Sequence, residues 1–130
     1  MTVALITGAN SGIGRSAAVD LAAKGWTVYG SMRSSEKGEK LAAMCAEAAV
    51  EVHPVICDVT DTESVNRAVA EVIAAAGHID VLVNNAGIGG NGVCEETSID
   101  EYKDVMDVNL YGVIRGVQAV LPHMRERGTG

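Results

Sequence analysis

Thr7-Gly8-Ala9-Asn10-Ser11-Gly12-Ile13-Gly14 lies between a short apolar run, Val3 to Thr7, and a segment from Ser11 to Lys24. The run before it is long enough for a buried strand. Behind it Ile13, Ala17, Ala18, Leu21 and Ala22 recur at helical spacing, and Gly25 stands where a helix would stop. A tight strand-to-helix turn needs glycine where φ is positive or where a Cβ would block close approach. The N–H groups left free at the helix start, with the positive end of its dipole, attract phosphate. The stretch is not a P-loop, because no Gly-Lys-Ser/Thr follows at the required spacing. Nor is it G-x-G-x-x-G; its glycines are spaced G-x-x-x-G-x-G. From this loop alone two readings stand: nucleotide binding, and a plain turn packing a helix on a sheet.

Outward from the loop, strands and helices alternate. Thr27 to Met32 reads as a second strand and Ser35 to Ala48, rich in Ala, Glu, Lys, Leu and Met, as a helix. Val50 to Cys57 reads as a third strand, with Pro54 counting against it. Thr60 and Glu63 have capping-box spacing, and the helix behind them puts Val65, Ala68, Val69, Val72, Ile73 and Ala76 on one face before Gly77. Ile79 to Val83 is near-continuously apolar, as suits a strand buried on both faces of a parallel sheet. A glycine-rich loop follows, Gly87 to Gly92, and Ser98 with Glu101 gives a second capping-box spacing. One long helix then carries Val105, Val108, Val113, Val117, Val120 and Leu121, with Pro122 near its end. The order β-α-β-α-β-α-β-α implies a parallel sheet with right-handed crossovers. The expectation is one domain over residues 1–130, with no linker and no longer repeat.

Composition narrows the function. The chain has 130 residues, 48% hydrophobic and 21% charged, which is apolar enough to offset its ordering entropy and excludes disorder. Its 15 glycines and 2 prolines have no fixed period, so it is not collagen-like. No stretch reaches the ~18 apolar residues of a membrane span. Met1-Thr2-Val3-Ala4-Leu5-Ile6-Thr7 has no basic n-region and too short an apolar run for a signal peptide. The net charge of −7 argues against nucleic acid or an anionic membrane as partner. Cys45, Cys57 and Cys94 lack CxxC spacing, which speaks against a disulfide framework and a zinc site. They read as reduced thiols of a cytoplasmic protein. His53, His78 and His123 are isolated, lack ligand spacing, and define no metal site.

Four motifs fall in order along this pattern. The glycine loop resembles the T-G-x-x-x-G-x-G cofactor motif of the short-chain dehydrogenase/reductase family. Asp58-Val59 directly follows the third strand, as in that family. Asn84-Asn85-Ala86-Gly87 follows the fourth strand and is similar to its N-N-A-G motif. Asn109 lies in the next helix, within Val108-Asn109-Leu110-Tyr111-Gly112. The resemblance covers Thr2 to Gly130. It implies a Rossmann-type doubly wound α/β sheet, here four strands in the order 3-2-1-4 with helices on both faces.

The resemblance also implies roles. Gly8, Gly12 and Gly14 would line the turn under a cofactor pyrophosphate, and the backbone of Asn10, Ser11, Gly12 and Ile13 would contact it. Asp58 resembles the carboxylate that accepts from the adenine amino group, with Val59 beside the ring; its other reading is a helix-start Asp near Thr60. Asn85, Ala86 and Gly87 look like the stretch under the cofactor ribose, and the N-N-A-G asparagines could also tie neighbouring strands together. Asn109 is the one member of the family's catalytic tetrad present, where it holds a water of a proton relay; a structural helix–strand hydrogen bond is its other reading. NAD selection needs a carboxylate at the end of the second strand. This chain has Ser31-Met32-Arg33-Ser34-Ser35 there instead. Arg33 can pair with a 2′-phosphate, so the expected cofactor is NADP over NAD. Arg15 could add a second positive charge or simply be solvated on its helix.

The chain also departs from the family pattern. Tyr29, Tyr102 and Tyr111 are its tyrosines, and none begins the Tyr-x-x-x-Lys pair that supplies the family's general acid/base; the family Ser is missing as well. The ending resembles the turn before the family's fifth strand. The expectation is therefore the N-terminal, cofactor-binding half of a reductase that moves hydride between nicotinamide and a small-molecule carbonyl or alcohol. Such a half would be inactive alone, and its exposed fourth strand would make it self-associate or be marginally stable. The alternative is a non-catalytic dinucleotide-binding module or subunit. A homo-oligomer is implied; the apolar stripe of the long Tyr102–Met124 helix is either one packing surface of it or simply that helix's sheet-facing side.

Overall fold

β1 (Val3–Ile6) is buried along its whole length, as a central strand must be. In the computed structural model, which describes Met1 to Gly130, β1 pairs in parallel with β2 (Thr27–Met32) on one side and β4 (Val81–Val83) on the other. β3 (His53–Ile56) adds to the far side of β2, giving one sheet in the order β3-β2-β1-β4. Leu5 faces Tyr29 across one pairing and Leu82 across the other.

Successive strand residues point to opposite faces. Val3 and Leu5 join Tyr29 and Val55 in one core cluster, under α3 (Thr62–Ala76) and α5 (Gly112–Arg127). Ile6, Val28 and Met32 join a second cluster under α1 (Gly12–Ala23) and α2 (Glu39–Ala48). Helices thus cover both faces, which is the doubly wound parallel α/β arrangement of the Rossmann type. Ile6, Val28 and Val72 are fully enclosed; each such side chain contributes about 1.5–3 kcal/mol through burial.

Several elements differ in extent from the sequence expectation. β3 is shorter than Val50–Cys57, and Pro54 is tolerated because β3 is an outer strand whose far side needs no ladder partner. β4 starts at Val81, and just before it the Asp80 side chain accepts from the Val3 N–H at 2.9 Å. It pairs with β1 alone. The Ser35–Ala48 helix opens as a 3₁₀ turn, Ser35–Gly38, before α2 begins. The Thr60–Glu63 capping box does not form. Thr60 Oγ1 donates to Asp58 Oδ1 at 2.8 Å, and Asp61 caps α3 by accepting from the Glu63 N–H at 3.0 Å. The box at Ser98 and Glu101 is complete and starts α4 (Ile99–Met106). The single long helix is instead α4, a π-helical turn over Asp107–Tyr111, and α5, with Pro122 inside α5.

Candidate active site

The chain winds from β1 to β2 to β3 on one side and then crosses to β4 on the other. Such a reversal leaves a crevice beyond the carboxyl ends of the strands. A cavity of about 500 Å³ lies there. The turn after β1 supplies Gly8, Asn10, Ser11, Gly12 and Ile13; the end of β2 supplies Met32 and Arg33, and the 3₁₀ turn Lys37. Residues 57–60 follow from β3, residues 85–88 from β4, and Val108 from the π turn.

The glycine turn is built by close approach. Gly8 has φ +67°, and a Cβ on it would sit 2.9 Å from the Ala86 Cα. Gly12 has φ +51° and open space where its Cβ would be, on the cavity side of the α1 start. Both positions favour glycine on backbone grounds. Gly14 differs. It is buried in α1 and does not line the cavity; a Cβ there would collide with the Asn85 amide and with the Gly8 carbonyl.

Asn85 explains that crowding. Its Nδ2 donates to Thr7 O at 3.0 Å and to Gly8 O at 3.1 Å. Thr7 completes the join, because its hydroxyl accepts from the N–H groups of Asn85 and Ala86, each at 3.0 Å. The turns after β1 and β4 are thereby fastened to each other at the crevice floor. The expected tie between strands through an N-N-A-G asparagine is realised by Asn85, while Asn84 Oδ1 lies over α5, within 2.7 Å of where a Gly116 Cβ would be.

Asp58 presents a prepared carboxylate. Its Oδ1 accepts from Thr60 N–H at 2.9 Å and Thr60 Oγ1 at 2.8 Å, which leaves Oδ2 without a protein partner. These two bonds hold the carboxyl below its ordinary range, and the Arg33 and Arg115 charges act in the same direction. Val59 beside it is buried. Cys57 also lines the cavity, with its thiol pushed up to about 11 chiefly by burial, so it is a neutral wall.

Arg33 and Lys37 are exposed on the β2 side of the cavity, and neither takes part in an ion pair. Lys37 carries no signal in a strand-end motif. It stands in the 3₁₀ turn, next to Gly38, where a Cβ would come within 3.0 Å of the Met32 thioether. Arg15 folds back on its own turn, Nη1 to Asn10 O at 3.4 Å, and does not line the cavity. Asn109 does not line it either. Its Oδ1 accepts from the Ile88 N–H and its Nδ2 donates to the Ile88 carbonyl, both at 2.8 Å. The loop after β4 is therefore clamped from the π turn. No three His, Cys, Asp or Glu side chains are grouped to hold a metal ion, and no helix is long and apolar enough to cross a membrane.

A doubly wound parallel sheet with a glycine turn and a cavity at its switch point defines a Rossmann-type protein. Residues 2–130 match the family model for short chain dehydrogenase, and the chain belongs to that family. It is 43% identical to the 2-(R)-hydroxypropyl-CoM dehydrogenase of Xanthobacter autotrophicus over 98% of this chain and 53% of that protein. A short-chain dehydrogenase from Streptomyces avermitilis superposes with a TM-score of 0.88 at 41% identity, over 99% of this chain and 46% of the other. An alcohol dehydrogenase from the archaeon Thermococcus sibiricus, solved with 5-hydroxy-NADP, gives a TM-score of 0.88 at 38% identity, over 99% of this chain and 55% of the other. The chain spans about half the length of these relatives.

Proposed function

We propose that this chain is the cofactor-binding half of an NADP-dependent oxidoreductase acting on a small carbonyl or alcohol. The observation that carries this reading is the cavity itself: Gly8, Asn10, Ser11, Gly12, Ile13, Arg33, Asp58, Val59, Asn85, Ala86 and Gly87 all face one crevice. A dinucleotide fits these residues, since the Gly8 and Gly12 turn has no side chain to block a pyrophosphate and the helix start offers N–H groups. Asp58 Oδ2 is free to accept from an adenine amino group, and Val59 offers an apolar contact to its ring. Asn85, Ala86 and Gly87 would hold the ribose from the β4 side of the cavity. Gly14 serves by letting the Asn85 amide hold the turn. NADP, when bound, supplies the hydride chemistry.

Two observations support NADP over NAD. Arg33 reaches the cavity without a carboxylate partner, and the Thermococcus relative was solved with an NADP derivative. Asn109 keeps one acceptor site on Oδ1 for a relay water while it holds Ile88. Free Cys45, Cys57 and Cys94 support a cytoplasmic setting. The unpaired side of β4 supports self-association of this half when it stands alone.

Isothermal titration with NADPH and with NADH, at fixed ionic strength, tests the reading. NADPH binds more tightly, and Arg33→Ala removes about tenfold or more of its affinity while leaving NADH unchanged. Equal binding of both would overturn the phosphate selection. Binding of neither would overturn the cofactor reading for this chain.

A further inference from the structure

Arg115 is a mostly buried arginine in α5, with its side chain 20% exposed. Its guanidinium reaches three acceptors. Nη1 donates to the Val59 carbonyl at 2.9 Å and to the Asp107 carbonyl at 3.2 Å, and Nη2 donates to Asp107 Oδ1 at 2.6 Å. A planar fork can meet such divergent acceptors, whereas a single ammonium cannot hold the same geometry.

The two anchor points are unlike. Val59 belongs to the Asp58–Thr60 wall of the cavity, and its side chain rests on Gly112, where a Cβ would come within 2.9 Å of its Cγ2. Asp107 opens the π turn, and its carbonyl also accepts from the Gly112 N–H that closes that turn. Arg115 therefore bonds the carbonyl on which the wide turn depends. The π turn in turn carries Val108, which lines the cavity, and Asn109, which holds both backbone groups of Ile88.

A π turn holds one residue more than an α turn. If it relaxes to α geometry, everything before it rotates by about 100° relative to α5, the angle of one helical residue. Asn109 would then leave Ile88. We infer that Arg115 is a positioning residue that fixes the π turn and so couples the Asp58–Thr60 wall to the Ile88 loop on the other side of the cavity. The link to cofactor binding rests on the proposed function; the link between Arg115 and Ile88 does not.

The test is amide exchange of Ile88 by NMR in the full 130-residue chain, normalised to the Val28 amide of the sheet centre. Asn109→Ala calibrates the loss of the clamp. Arg115→Leu should raise Ile88 exchange by about tenfold or more although no Arg115 atom bonds Ile88, and Arg115→Lys should raise it less. Arg127→Leu is the matched control, since it removes another arginine from a backbone carbonyl at the opposite end of the sheet, Ile79 O at 3.2 Å. It should lower the melting temperature without moving Ile88. If Arg115→Leu does not fold, Asp107→Ala removes the 2.6 Å contact and carries the same comparison. Ile88 exchange unchanged in the Arg115 or Asp107 variants, or raised equally by Arg127→Leu, overturns the coupling. Titration with 2′,5′-ADP adds the binding readout: affinity falls in Arg115→Leu and is kept in Arg127→Leu. Failure of the wild-type chain to bind 2′,5′-ADP or NADPH would count against the cofactor reading, and the Ile88 comparison would still decide the coupling.

Discussion

The two ends of the sheet are built on opposite rules. At the amino end, charges are closed on one another. Asp80 accepts from the Val3 N–H at 2.9 Å and from Arg127 Nη2 at 3.0 Å, with His78 Nε2 3.1 Å away. That knot ties β1, the start of β4 and the end of α5 together. At the carboxyl end Arg115 and Asp107 are closed on each other as well, but the groups that line the cavity are held in place and left with capacity. Asp58 spends one oxygen on Thr60, Arg33 and Lys37 have no ion-pair partner, and the glycine turn keeps its cavity side bare. The difference separates holding the fold together from receiving a ligand. A charge satisfied within the protein contributes to stability, and one left open is a place for another molecule.

The largest expected effect falls where the two rules meet. Gly14 belongs to the carboxyl end but does not touch the cavity, and a Cβ there meets the Asn85 amide and the Gly8 carbonyl. Gly14→Ala is expected to cost about 3 kcal/mol, as overpacking in a rigid contact does, and to displace the turns after β1 and β4 together. Urea unfolding gives the first quantity and NADPH titration the second. Near-native stability with full affinity would show that the Asn85 fastening is not needed.

Asp80→Ala should cost less, about 2 kcal/mol, because it leaves the Val3 N–H and the Arg127 guanidinium without their partner. Affinity for NADPH per folded molecule should be unchanged. A loss of affinity alongside the loss of stability would mean that the two ends are not independent.

The same contrast governs what the sequence reveals. The alternation of apolar runs is a local pattern, and from it the parallel α/β arrangement is legible. The strand order is what the family resembled by the four motifs implies, and of the site residues named from that resemblance all but Gly14 and Asn109 line the crevice. Tertiary partners are not legible. Thr60 has the spacing of a helix cap, yet its hydroxyl donates to Asp58, and Asp61 caps the helix instead. The apolar series from Val105 to Leu121 reads as one helix. The π turn inside it depends on Arg115 and on the close contact of Gly112 with Val59, a residue far away in sequence. Lys37 lines the cavity from a 3₁₀ turn that no motif marks, next to Gly38, where a Cβ would crowd the Met32 thioether. Asn109 reads as a site residue by its position in a motif. Its bonds to Ile88 depend on where a loop comes to rest, which no spacing records.

The smallest effect is also the finest test of the separation. Both Asp58 and Asp80 have carboxyls held below the ordinary value, Asp58 first by the Thr60 N–H and Asp80 first by the Val3 N–H. For a depressed carboxyl the stability contribution is present above the unfolded value of about 3.9 and is lost as pH falls through the folded one. Stability therefore declines on the acid side, with a share from each end of the sheet. Asp80→Asn should flatten its share of that acid limb in urea unfolding at pH 3 to 6, a range chosen at about one unit or more on either side of the unfolded value. NADPH affinity at neutral pH should stay as it was. Asp58→Asn should also flatten the limb and in addition weaken NADPH, because its free oxygen faces the cavity. Equal affinity losses from the two variants would mean that charge near the sheet acts at long range. An effect on affinity confined to Asp58→Asn would mean that the open acceptor itself is what the cofactor contacts.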